Sequence, residues 1–138
     1  MLDKGHRDSL GKAPAFRKGT GMRLWTVIAG LFGLGGVVAG AYAAHGIDDA
    51  HAAEMVKTAA FYALIHAAVL IGWDRGYGRM ATFARLALAT GILFFSGSIT
   101  AKYILHYSAI GDLAPVGGVL LMAGWALIVV NSVFSKAS

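Results

Sequence analysis

The chain has 138 residues, of which 57% are hydrophobic and only 14% charged, with a mean hydropathy of +0.65; soluble domains run closer to half apolar and a quarter charged, so the composition is that of a membrane protein. With 19 glycines but only two prolines it is not a disordered low-complexity chain, and with no cysteine it has no disulfide, thiolate metal site or cysteine nucleophile. The net charge of +5 comes from Lys and Arg that flank apolar runs instead of forming a patch interleaved with aromatics, which argues for a lipid bilayer as partner and against nucleic acid.

Residues 1–23 open with "MLDKGHRDSLGKAPAFRKGTG", polar and glycine-rich. They are expected to form a flexible basic cytoplasmic tail, held near anionic lipid or used to dock a partner. The first apolar run follows at 24–44. At 1.5 Å per residue it covers roughly 30 Å, one hydrocarbon thickness. It is too long for the apolar region of a cleaved signal peptide, and no clean A-x-A junction precedes a soluble domain. The second run, short in itself, extends backwards through "HAAEMVK" to an N-cap at Asp48 or Asp49, giving a helix over 50–73. The third is expected over 85–107 and the fourth over 113–135. Four spans joined by short connections predict an all-α integral membrane four-helix bundle of antiparallel, up-down topology.

Lys and Arg set the orientation. Lys4, Arg7, Lys12, Arg17, Lys18 and Arg23 precede the first run; Arg75, Arg79 and Arg85 lie between the second and third; Lys136 lies at the C-terminal end. The other two connections offer only Lys57 and Lys102. The positive-inside rule then places both termini in the cytoplasm, with the protein in a bacterial cytoplasmic (inner) membrane.

Small residues form stripes. Gly36 and Gly40 lie one turn apart in the first run, Gly97 lies in the third, and Gly117, Gly118 and Gly124 lie in the fourth. In lipid such stripes let helix backbones approach closely, within the bundle or against another chain.

Polar residues inside the spans are the functional candidates. His66 sits deep in "YALIHAAVLIG", with Tyr62 one turn earlier on the same face. It is read as a neutral histidine hydrogen-bonded to a neighbouring helix through Ser96, Ser98 or Tyr62, or as a relay. Ser98 and Lys102 are again four apart; Lys102 can snorkel to the outer surface or pair with Asp48, Asp49 or Glu54. Asn131 is expected to hydrogen-bond near the end of the fourth helix. "GAYAAHGIDDAHAAEM", 40–55, gathers His45, His51 and three carboxylates. Their spacing does not put a ligand pair on one helical face, so no metal site is expected. His45-Gly46 reads instead as a helix terminus, with Gly46 in the left-handed conformation. No G-x-S-x-G, H-E-x-x-H or Walker lysine is present, and "GLGG" lacks the context of a dinucleotide site. Neither an enzyme activity nor a cofactor is expected.

"GAYAAHG" at 40–46, "YALIHAAVLIG" at 62–72, "LFFSGS" at 93–98 and "LAPVGGVLLMAGW" at 113–125 occur in an order that resembles the domain-of-unknown-function 423 family of small integral membrane proteins, to which eukaryotic transmembrane protein 256 is similar. The resemblance covers about residues 24–135. It implies four transmembrane helices and no reaction. The motif positions it implies are Tyr42, His45, Gly46, Tyr62, His66, Ser96, Gly97, Pro115, Gly117, Gly118, Gly124 and Trp125. Ala43, where glycine is usual, and Ala63, where glutamine is common, depart from it. The expected function is a non-enzymatic structural or accessory component of a larger membrane assembly or homo-oligomer. The alternative is a small transporter, channel, or lipid- or quinone-binding module using His66, Tyr62, Ser98 and Lys102.

Overall fold

The computed structural model describes residues 20–73 and 78–134. Most of the expected tail, Arg75 and the last residue of the expected fourth helix lie outside them. Four helical spans are long and apolar enough to cross a membrane, and no strand occurs among the described residues.

The first span is α1 (Thr20–His45). It begins four residues before the apolar run. The second is α2 (Ala50–Gly72), whose N-cap is Asp49: its carboxylate accepts the Ala52 N–H at 2.6 Å, supplying one of the acceptors a helix start lacks. At the other end the Arg85 guanidinium donates to the Trp73 carbonyl at 2.9 Å and lies 5.3 Å from the Trp73 ring centroid, tying the second span to the third.

The third span is three pieces in one rod. α3 (Arg79–Ile92) leads into a π turn (Leu93–Gly97), which leads into α4 (Ser98–Ile104). It starts six residues before the expected 85. Charge marks where hydropathy begins, but the backbone break is Gly78, at φ +98°, which L side chains rarely adopt. It stops three residues before the expected 107. His106 takes the left-handed φ of 57°, and the N–H groups of Leu105 and Tyr107 both donate to the Ala101 carbonyl. A 3-10 segment (Ser108–Leu113) then feeds α5 (Ala114–Phe134), with Pro115 in its first turn, where the missing N–H costs nothing.

The left-handed residue expected at Gly46 is therefore found at His106 instead. Gly46 N–H donates to Tyr42 O at 2.7 Å, continuing the helical pattern. A Cβ at Gly46 would stand 2.6 Å from the Tyr42 ring, so that exposed side chain would have to turn aside.

Packing is by hairpins. α1 lies chiefly on α2, and α3 chiefly on α5; α2 meets every piece of the third span. One apolar cluster joins Ala29, Ala63, Leu70, Leu88, Ile92 and Leu121; a second joins Ala39, Ala43, Val56 and Ala60. In the α3/α5 contact each helix seats a leucine on a glycine of the other. Leu121 fills the space over Gly91, and Leu88 the space over Gly124. Gly117 crosses the π turn so closely that a Cβ would meet Phe95 N at 2.2 Å. Gly36 is constrained less severely on α2, where a Cβ would be 2.9 Å from the Leu64 side chain and 3.1 Å from the Ala60 carbonyl. Gly40, Gly97 and Gly118 keep ordinary contact distances, so close approach rests on Gly36, Gly91, Gly117 and Gly124.

Candidate functional site

His66 is 5% exposed, held on α2 where that helix faces α5 and the π turn. Its Nδ1 is 2.7 Å from the Tyr62 backbone oxygen, and its Nε2 is 3.1 Å from the Trp125 indole nitrogen. A carbonyl only accepts and an indole N–H only donates. The pair fixes the tautomer: Nδ1–H donates to Tyr62 O, and bare Nε2 accepts from Trp125. Both ring nitrogens are thus occupied by partners that suit a neutral imidazole.

Aromatic rings enclose this bond. The Tyr62 ring stacks on His66 at 5.8 Å and 17°, meets Phe95 at 4.8 Å, and leaves the Trp125 ring to approach His66 on edge at 6.1 Å. Tyr62, Phe95, Pro115, Gly118 and Trp125 line a cavity of about 350 Å³ beside His66. It opens sideways, since Tyr62 and Trp125 are both exposed.

The structure joins Tyr62 and His66 as the i, i+4 spacing predicts, but not the other candidates. Ser98 is buried and donates to Phe95 O at 3.2 Å within its own segment. Neither Ser96 nor Ser98 is the partner of His66. Ser96 is 6% exposed and its Oγ has no hydrogen-bond partner. His45 is exposed at the end of α1. Lys102 is exposed too; its ammonium lies 5.4 Å from the Tyr103 ring centroid and its stem lies against Gly111, not against Asp48, Asp49 or Glu54. The α4 end of the bundle instead pairs Tyr103 with His51, hydroxyl to Nε2 at 3.4 Å. Among the described residues no three potential metal ligands converge.

Sequence reasoning missed Trp125 as the partner of His66. The available signal was chemical: an indole N–H within an apolar span requires an acceptor, and few side chains in these spans offer one.

The family model "Protein of unknown function (DUF423)" matches residues 39–118. A UPF0382 membrane protein of Schizosaccharomyces pombe is 33% identical over 120 residues, covering 79% of this chain and 100% of the relative. One from Haemophilus influenzae is 31% identical over 119 residues, covering 82% and 96%. The UPF0382 inner membrane protein YgdD of Escherichia coli is 30% identical over 121 residues, covering 83% and 92%. No solved structure matches significantly. The matched region holds the Tyr62–His66 pair, the π turn and Gly117; Trp125 lies just beyond it.

Proposed function

We infer that this chain, which belongs to the DUF423 family of membrane proteins, is a non-enzymatic structural component that packs its helix faces into an inner-membrane assembly or homo-oligomer. One observation carries the reading: His66, the one buried titratable side chain among the described residues, is spent on structure. A relay needs a histidine that can take a proton on one nitrogen and lose it from the other. Here a proton added at Nε2 would face the Trp125 N–H, and Nδ1–H already serves a backbone carbonyl. The other buried polar side chains among the described residues are two serines, which do not titrate. These features support a dry, tightly packed interior over a conduction path.

Mild-detergent extraction followed by native mass spectrometry of the tagged protein is expected to find fixed-stoichiometry complexes, with larger subunits or with further copies. A lone monomer under conditions that preserve known membrane complexes overturns the reading. The Lys/Arg distribution supports cytoplasmic termini, so a reporter fused after Ser138 is expected on the cytoplasmic side. A periplasmic signal overturns that orientation.

A further inference from the structure

Three side chains bring polar atoms to the cavity beside His66: Tyr62, His66 and Trp125. The Trp125 N–H donates to His66, and both ring nitrogens of His66 are engaged. The Tyr62 hydroxyl is left over. Its ring stacks on His66 and meets Phe95, but the hydroxyl has no hydrogen-bond partner among the described residues. Its depth rules out the acceptors that a membrane surface offers. Tyr62 stands roughly 18 Å from the start of α2 at Ala50 and roughly 15 Å from its end at Gly72. That is close to the midplane of a hydrocarbon core ~30 Å thick, with water and ester carbonyls about 15 Å away at its boundaries. A hydroxyl without an acceptor in hydrocarbon is unfavourable, so a guest that brings one there is stabilised.

We propose that this cavity holds the head ring of an isoprenoid quinone, whose ring carbonyl accepts the hydrogen bond of the Tyr62 hydroxyl while the isoprenoid tail stays in the surrounding lipid. The walls fit a flat ring. Those of Tyr62, His66, Phe95 and Trp125 are themselves rings, and the Met122 thioether lies among them. Aromatic and thioether walls favour a ring through stacked and edge contacts that a saturated acyl chain cannot make. The volume of about 350 Å³ is at the low end of the ~300–1,000 Å³ of small-molecule pockets, room for one ring system. The opening is sideways, since Tyr62 and Trp125 are exposed, so the guest enters from the bilayer. Depth separates the quinone from a phospholipid. A quinone carries its carbonyls on the ring and has no charged headgroup, so it can bring an acceptor to mid-bilayer; a phospholipid offers only hydrocarbon there.

The test places the full chain in phosphatidylethanolamine nanodiscs containing equal amounts of a benzoquinone bearing a decyl chain and of decylbenzene, which has the ring and tail but no carbonyl. Native mass spectrometry after gentle release reads the guest that stays bound. One quinone per chain is expected, retained about three- to tenfold over decylbenzene, the worth of one hydrogen bond. Tyr62→Phe keeps the ring that stacks on His66 and removes only the hydroxyl. It should lower quinone retention by that factor and leave decylbenzene retention unchanged. Gly118→Leu should expel both guests: its Cβ would lie 3.9 Å from the Phe95 ring, an ordinary contact, so the side chain fills the cavity without striking the backbone. Equal retention of quinone and decylbenzene, quinone retention unmoved by Tyr62→Phe, retention that survives Gly118→Leu, or a phospholipid held in place of the quinone would each overturn the proposal. Binding is read on the isolated chain, so its failure is distinct from a failure to assemble.

Discussion

Gly117→Ala is expected to lose the folded protein. The added Cβ would stand 2.2 Å from Phe95 N and 2.7 Å from the Phe94 carbonyl carbon, and both are backbone atoms of the π turn. A flexible side chain could swing aside; a backbone held in hydrogen bonds has no such freedom. Relief requires α5 to move off the third span, and that motion would unseat Leu121 from Gly91 and Leu88 from Gly124. Overpacking of a tight core costs about 1–3 kcal/mol, and here the coupled loss of two leucine seats places the cost at or above the top of that range. SDS-titrated unfolding of the purified protein checks it. Gly40→Ala is the control: its Cβ would sit 3.5 Å from the Ala60 Cβ, an ordinary contact, and helix propensity favours alanine by up to about 1 kcal/mol. If Gly117→Ala unfolds no more readily than Gly40→Ala, the α5 crossing is looser than described.

Gly117 and its neighbour Gly118 show how far the sequence could be read. Hydropathy and length give the four spans, because each must cover the bilayer with a hydrogen-bonded helix. Small residues mark the faces that approach closely, but not which glycine has no alternative. Gly117 and Gly118 look alike in the sequence; only the crossing at the π turn separates a backbone clash at one from a 3.9 Å contact at the other. Gly91 drew no notice for the same reason. Helix ends slipped by up to six residues, since charge marks the water boundary while Gly78 and His106 mark the backbone breaks. Within one helix the site was legible: spacing alone puts Tyr62 under His66. Across helices it was not. The partner of His66 depends on the rotation and height of α5, and no local pattern encodes those, so Trp125 was missed and Ser98 and Lys102 were grouped with a histidine they do not join.

Replacing His66 separates the two roles a buried histidine can have. His66→Ala removes the acceptor for Trp125 Nε1, the ring stacked on Tyr62, and the edge contact with Trp125, and it enlarges the neighbouring cavity. Interhelical hydrogen bonds in membranes average about 0.6 kcal/mol and reach about 1.7 kcal/mol. With the cavity added, destabilisation of about 2–3 kcal/mol is expected. His66→Gln is the informative variant. Its amide oxygen can still accept from the indole, but it has no titratable proton. If His66 is a pin between α2 and α5, glutamine should restore most of the stability, and a double-mutant cycle with Trp125→Phe should show a coupling of the size of one hydrogen bond. Complex formation read by native mass spectrometry should likewise survive His66→Gln. If instead the chain moves protons, liposomes containing the wild-type protein should dissipate an imposed pH gradient, and His66→Gln should abolish that flux while leaving the fold intact. The hydrogen bonds on both ring nitrogens predict the first result, because a histidine whose Nε2 accepts from Trp125 on α5 and whose Nδ1–H serves a carbonyl of its own helix has neither nitrogen free to pass a proton along.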